Sequence, residues 1–401
     1  MSWTRKPLAE VADFCLGKML DENKNRGQLL PYLANINVRW GNFDIDDLRQ
    51  MRFEEKELDR FGLKPDDIVM CEGGEPGRCA IWQDQLPGMM FQKALHRIRP
   101  HDCIDSRFLF YLFLKMGRND EFLGLFTGST IKHLPKEKLA KVVVAFPKID
   151  VQKRIAATLS GYDDLIENNR RRIALLEQAA RLLYEEWFVR FRFPGHELIR
   201  KREVRPEQWR RKFISEIVTT QYGYTDSASV EPIGPKFLRG TDINKTSYID
   251  WDSVPYCSDR NLSFEQYALR PNDILVIRMA DPGKVAIVEQ EIRAVFASYL
   301  VRLQILPDAE VHSLYLFYVM ASPAYSGYIS GSSEKSTRKS ASAPLLTNFE
   351  IRIPPPELQQ QFVDTVGTWR KQINLLLRQN GLLVKARDLL LPRLMSGEVE
   401  V

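Results

Sequence analysis

The sequence predicts a mixed α/β (α+β) protein, with two duplicated lobes separated by two long helices that pair as an antiparallel coiled coil. Three observations lead there: an internal repeat along most of the chain, strand and turn signals inside each copy, and a heptad seam after each copy. The 401 residues, 44% hydrophobic and 27% charged, suffice for two or three packed domains.

The repeat comes first because a missed repeat misreads the whole fold. Pro65-Asp66-Asp67-Ile68-Val69 returns as Pro271-Asn272-Asp273-Ile274-Leu275, at an offset of 206. Pro76-Gly77-Arg78-Cys79-Ala80-Ile81 returns as Pro282-Gly283-Lys284-Val285-Ala286-Ile287 at the same offset. Phe108-Leu109-Phe110-Tyr111 matches Tyr315-Leu316-Phe317-Tyr318, and Phe146-Pro147 with Gln152 matches Ile353-Pro354 with Gln359, both at 207. Leu8-Ala9-Glu10-Val11 matches Ile214-Ser215-Glu216-Ile217, and Leu175-Leu176 matches Leu382-Leu383. Matches kept in one order at nearly one offset mean duplication. So long a period gives two lobes, where a solenoid repeats every ~20–50 residues.

Within each lobe, Pro65–Met70 and Asn272–Arg278 read as strands, a turn-forming pair followed by β-branched residues. Glu72–Gly77 and Asp281-Pro282-Gly283 read as turns into the next strand. The aromatic stripes Phe108–Phe113 and Tyr315–Val319 are too densely apolar for a surface and read as buried helices. Each lobe closes on a strand-like run that ends at proline, Val142–Pro147 and Phe349–Pro354.

A helical pattern follows each closing strand. Ile155, Leu159, Tyr162, Ile166, Asn169, Ile173, Leu176, Ala180, Leu183 and Trp187 step by four and three without a break. The second seam is Phe362, Val366, Trp369, Ile373, Leu376, Asn380, Leu383, Arg387, Leu390 and Leu394, with Gly381 beside it and Pro392 expected to end or kink the helix. One asparagine on each seam, Asn169 and Asn380, either fixes register or marks a partly solvated seam. A helix from Val151 to Val189 would span ~58 Å at ~1.5 Å per residue. With a lobe at each end of the paired helices, the expected shape is a dumbbell. The layout is then lobe 1–150, helix 151–190, linker 191–212, lobe 213–355, and helix with tail 356–401.

The net charge of +5 is mild, but it is unevenly spread. Arg190–Lys212 holds nine basic residues against three acids, and Arg170-Arg171-Arg172 adds a second cluster. Such runs are solvated faces or phosphate contacts, and two of them beside a rod that joins duplicated lobes favour phosphate. Polar loops, Gly128–His133 and Gly331–Ser340, precede the last strand of each lobe.

Several classes are set aside. No apolar run approaches the ~18–20 residues of a membrane span, and Met1–Pro7 has no apolar signal core. Cys15, Cys71, Cys79, Cys103 and Cys257 are odd in number and form no C-x-x-C, which suits a reducing cytoplasm and no zinc ribbon. The chain has no Asp/Asn-Pro-Pro-aromatic methyltransferase motif, no P-loop, no His-Glu-x-x-His and no nuclease acid cluster. The expectation is a chain without catalytic or metal residues of its own.

The junctions Phe146-Pro147…Val151-Gln152-Lys153-Arg154-Ile155 and Ile353-Pro354-Pro355-Pro356-Glu357-Leu358-Gln359-Gln360-Gln361-Phe362 are the sharpest signature, with the tail Leu389–Glu398 beside them. Over essentially its whole length the chain resembles the specificity subunit of type I restriction-modification enzymes. That resemblance implies two target recognition domains, each reading one half of a bipartite, asymmetric double-stranded DNA site, with the helices as a ruler between the half-sites. It also implies docking of two methyltransferase subunits on the exposed faces of Ile155–Trp187 and Phe362–Leu390, and restriction subunits in the full complex. No cofactor would bind this chain; S-adenosylmethionine, ATP and Mg would belong to the partners. Lys153 stands where the family often has a second Gln-like residue.

Recognition loops do not align between family members, so base readers are nominated on loop position and donor chemistry: Lys132, His133, Arg239, Arg278, Lys284, Ser336, Arg338 and Lys339. Tyr222 and Tyr224, in a Gln-Tyr-Gly-Tyr turn, are added as stacking or core residues. Two rivals stay open. A stand-alone DNA nuclease would depend on an acid such as Asp67 or Glu72, and a coiled-coil scaffold with protein-binding lobes would show no sequence-selective DNA binding.

Overall fold

The computed structural model describes residues 3–21, 25–197, 209–260, 263–333 and 340–401. The chain packs as two units, Met1–Ile166 with Leu382–Val401, and Glu167–Gly381. Each unit takes one lobe and a stretch of both long helices. The division therefore crosses the helices, because their apolar seams are buried against the lobe cores.

In the first unit a four-stranded antiparallel sheet runs in the order Ala12–Leu16, Leu95–Pro100, Ile68–Cys71, Cys79–Ile81. Ile68 and Met70 face a core with the helix Ser106–Arg118, while Val69 and Cys71 face a second core with Trp82 and Phe91. A strand covered on both faces needs a continuous apolar run, which is what the sequence supplies. Thr4–Pro7 pairs with Val143–Phe146, and Gln28–Leu33 lies between Arg49–Phe53 and Met90–Phe91.

The second unit repeats this plan. Its sheet order is Val218–Tyr222, Leu300–Ile305, Ile274–Ile277, Val285–Ile287. Ile274 and Val276 face the core of the helix Ser313–Met320, and Leu275 and Ile277 face the opposite core. Arg210–Phe213 pairs with Glu350–Ile353, so this lobe begins before the expected residue 213: the ribbon needs those residues as a strand. Tyr222 and Gly223 correct the expected turn in the same way, since Tyr222 ends a strand and Tyr224 continues extended against Ala297.

The duplication persists down to individual hydrogen bonds. Asp66 (φ 71°) and Asn272 (φ 75°) take the same left-handed turn. The following carboxylates, Asp67 and Asp273, accept from Lys64 N at 2.8 Å and Arg270 N at 2.9 Å. Asp67 also receives a two-pronged bond from Arg99, at 2.7 Å on each prong. At the junctions, buried Gln152 donates to Cys103 O (3.1 Å) and Pro147 O (2.9 Å) and accepts from Asp105 N (2.8 Å). Gln359 donates to Glu310 O (3.0 Å) and Pro354 O (2.9 Å) and accepts from His312 N (2.8 Å). One side-chain amide thus ties closing strand, aromatic helix and long helix together, and this explains the Pro…Gln signature.

The long helices are Ile149–Tyr184 and Pro356–Ser396. The first starts two residues before the predicted 151, and it ends in a π turn, Glu185–Val189, that brings both Trp187 and Phe188 to the core. Pro392 lies inside the second helix and does not end it, because Leu391, Leu394 and Met395 are buried in the first unit's core and hold the last turns in place. Within each unit the two helices run antiparallel. In the second, Ile173 clusters with Ile373 and Leu376, and Phe188 meets Phe362 edge-on with centroids 5.1 Å apart. In the first, Asp163 pairs with Arg387, and Ile155 and Leu159 share a core with Leu391 and Leu394. Ile155, Leu159, Ile166, Ile173, Phe362, Val366, Ile373 and Leu376 are buried, while Leu176, Leu183, Leu383 and Leu390 are half-buried. Gly381 is held by close approach: a Cβ there would come within 2.5 Å of Asp252 Oδ2.

Candidate nucleic-acid interface

In each lobe the central strand ends at a turn held by the same backbone bonds. In the first unit Glu72 N donates to Ala94 O (2.8 Å), Leu134 N donates to Glu72 O (2.8 Å), and Gly73 bridges His133. In the second, Arg278 N donates to Tyr299 O (2.9 Å), Ala341 N donates to Arg278 O (2.8 Å), and Met279 bridges Ser340. The frame is shared, and the side chains it presents are opposite in charge.

The first turn is acidic. Glu72 lies with its oxygens 3.1 and 3.2 Å from His133 Nδ1, which donates to them in the tautomer protonated there. His133 and Thr127 exchange backbone bonds at 2.9 Å, so residues 128–132 form a tight tip with Ile131 and Lys132 exposed. Asp67, the other acid named for a nuclease, is buried and committed to Arg99.

The second turn holds Arg278 in the place of Glu72, beside an aromatic ring, with the exposed Asp281 three residues on and Asp226 also lining the adjoining cavity. The Arg278 guanidinium stands over the Tyr222 ring at 4.8 Å, and no carboxylate pairs with it among the described residues. The Tyr222 hydroxyl accepts from Ala343 N at 3.0 Å, which fixes the ring. Beside them a cavity of about 530 Å³ is lined by Tyr224, Arg239, Gly240, Met279, Ala280 and Tyr299. Arg239 is forked onto Asp242 at 2.8 and 3.1 Å, and that hydrogen-bonded carboxylate raises the guanidinium's pKa above its ordinary value. Tyr224, half-buried, packs on Tyr267 (5.5 Å) and the cluster around Phe237 while also lining the cavity. Lys284 is exposed in a separate cleft with Arg181 and Lys245. Ser336, Arg338 and Lys339 lie outside the described residues.

In the described part of the basic linker each arginine has an acidic partner. Arg200, Lys201, Arg202 and Arg205 lie outside the described residues. Arg190 and Arg192 pair with Glu186, Arg210 with Glu310, and Arg211 with Glu350. Arg170 and Arg171 both reach Glu167. Among the described residues no three His, Cys, Asp or Glu side chains gather as a metal site, and no helix is long and apolar enough to cross a membrane.

Sequence reasoning did not single out the matched positions Glu72 and Arg278 as counterparts. The offset of 206 that aligned the neighbouring Pro-Gly turns would have done so. The stacking of Arg278 on Tyr222 had no local signal, because it joins strands that are distant in sequence.

The model of the type I restriction modification DNA specificity domain matches this chain twice, over residues 2–178 and 206–380. The chain belongs to that family. Among named specificity subunits, that of the type I restriction enzyme MjaIX from Methanocaldococcus jannaschii is 25% identical over 324 residues, covering 77% of this chain and 72% of the relative. The EcoBI specificity subunit of Escherichia coli is 23% identical over 388 residues, covering 91% and 78%. The crystal structure of the specificity subunit from M. genitalium overlays with a TM-score of 0.58 at 17% identity, covering 98% of this chain and 96% of that one, which shows a shared fold. As a specificity subunit, the chain carries two specificity-domain copies, and the second copy's match begins inside the linker, at residue 206.

Proposed function

We propose that this specificity subunit is the DNA-recognition component of a type I restriction-modification complex, each lobe reading one half of a bipartite, asymmetric site. The observation that carries this reading is the contrast between frame and tip. The two lobes repeat each other down to the Gln152 and Gln359 brackets, yet their matched turns present an acid in one and a guanidinium in the other. A duplicated frame with unlike tips suits a target whose two halves differ.

The long helices set the spacing and receive the methyltransferase subunits. The first helix, about 60 Å with its π turn at ~1.5 Å per residue, exceeds a DNA turn of about 34–36 Å. In the first unit Leu165, Leu382 and Leu389 are exposed, and in the second Leu175, Leu182 and Leu375 are, at 49% to 72% of their surface. Apolar side chains left so open on helices otherwise packed by their seams favour a protein partner on each unit. The chain itself performs no chemistry. S-adenosylmethionine belongs to the methyltransferase subunits, and ATP and Mg belong to the restriction subunits.

The test is co-expression of the chain with its host's methyltransferase, followed by mapping of methyladenine across the DNA. A single split motif, absent without this chain, is the expected result. Purified complex that methylates without sequence preference, or chain that fails to bind the methyltransferase, overturns the proposal.

A further inference from the structure

The geometry points to Arg278 as the guanine-reading residue of the second lobe and to Glu72, with His133, as the cytosine-reading group of the first; this rests on the DNA-recognition reading above. The two residues hold one place in the duplicated frame, at the end of the central strand and bonded through N–H and C=O to the same neighbours. What differs is the chemistry on offer.

Arg278 meets the needs of a base reader. The residue is half-exposed, its guanidinium held on Tyr222 at 4.8 Å and fixed further because Tyr222 is tied to Ala343 N. Its Nε is buried without a hydrogen-bond partner, and no acid neutralises it among the described residues. The neighbouring arginine, Arg239, is already forked onto Asp242 and has fewer donors to spare. A rigid, uncommitted guanidinium matches the paired O6 and N7 acceptors of guanine in the major groove.

Glu72 has the opposite bias. A carboxylate facing DNA is repelled by phosphates unless a base amino group donates to it, and the cytosine N4 amine is the donor that a carboxylate reads. His133 beside it donates to the carboxylate, whose two oxygens have further lone pairs to accept with.

The two turns share a left-handed residue and differ together at two places. Gly74 (φ 84°) in the first lobe lies so close to Asn35 that a Cβ would come within 2.5 Å of its Nδ2. At the matching place the second lobe has Ala280 at φ 68°, a conformation costly for a residue with a Cβ, and Gly240 stands where Asn35 would be. Keeping this strained turn beside the open cavity fits a demand on where Arg278 points.

The experiment uses the chain in complex with its methyltransferase and selects binding sites from a randomised duplex library. Wild type, Arg278→Gln, Arg278→Lys and Glu72→Gln are compared. Arg278→Gln is expected to lose the guanine requirement at one position of one half-site, about ten-fold or more in relative enrichment, with the other half unchanged. Arg278→Lys keeps the charge without the fork, so it should bind nearly as tightly yet relax the same position. Glu72→Gln should relax a cytosine position in the other half-site. A motif left intact by Arg278→Gln, uniform weakening rescued by Arg278→Lys, or both variants acting on one half-site overturns this assignment alone. A wild-type complex that enriches no motif overturns the recognition reading as well.

Discussion

Asn169 Nδ2 donates to Asn380 Oδ1 at 2.9 Å, joining the lone asparagines of the two helical seams within the second unit. The same nitrogen lies 3.2 Å from Gln379 Oε1, so both its protons have an acceptor although Asn169 is only 4% exposed. A polar pair that is satisfied in one alignment and orphaned in others specifies register. Asn169→Ala should cost about 1 kcal/mol, and a double-mutant cycle with Asn380→Ala should return a coupling of about 0.5–1 kcal/mol. Urea unfolding of the four proteins measures both, and additive losses would mean the pair is incidental.

The junction glutamines predict a larger effect. Gln152→Glu and Gln359→Glu replace a donating amide by a carboxylate aimed at two carbonyl oxygens. Each should destabilise its own unit by about 3 kcal/mol, from orphaned buried acceptors and an ill-placed charge. Hydrogen exchange resolved by segment should report faster opening of Ser106–Arg118 for the first variant and of Ser313–Met320 for the second.

Arg370 is 2% exposed, bonded to Glu289 and to Ser247 O (3.0 Å), with its guanidinium over Phe317 at 4.8 Å. Burial opposes its charge, yet Glu289 and Tyr318 more than compensate and push its pKa above the ordinary arginine value. Arg370→Met alone should cost about 3–5 kcal/mol by leaving Glu289 without its cation, with Asn374 Nδ2 (3.1 Å) its remaining donor, and adding Glu289→Leu should recover most of that loss. Thermal melts of the single and double variants decide it: a double variant no better than the single would show that the ion pair was not the source.

His312 caps the helix Ser313–Met320, its Nδ1 accepting from Leu314 N at 3.1 Å, where the first unit uses Asp105. Burial lowers the His312 pKa, against a weaker pull from Asp364. A histidine with a depressed folded pKa contributes stability above its unfolded pKa of about 6.5 and loses it as pH falls through the folded value. Protonation also removes the acceptor, so acidification should cost about 0.5–2 kcal/mol of cap. His312→Asn keeps an acceptor at every pH and should flatten this acid limb in stability measured between pH 7 and 5. Buried His96 in the first unit, whose pKa burial also lowers, leaves a second acid-sensitive contribution in place.

Much of the frame was legible because it obeys local rules. The continuous apolar strands, the aromatic helices and the heptad seams each follow from a period, and the repeat offset linked the two copies. Pro392 does not end its helix, because tertiary packing of Leu391, Leu394 and Met395 outweighs the local rule. The acids that pair with Arg210 and Arg211, Glu310 and Glu350, could not be read from the linker because they are far away in sequence. At the turns, donor type could be read from sequence and commitment could not. Arg239 and Arg278 look alike as letters, and only the fold shows one spent on Asp242 and the other free of any acid among the described residues.

Asp163 and Arg387 also bear on how a doubled gene comes to fold as one chain. The offset of 207 that aligns the helices sets Asp163 against Arg370 as counterparts, and Arg387 against Ala180. Two copies of the first half, paired in the same geometry, would set half-buried Asp163 opposite an alanine, with Tyr111 as its remaining partner. Two copies of the second would press Arg370 against Arg387. Only the mixed pairing gives the acid its cation, so at this position each half supplies what a second copy of the other would lack.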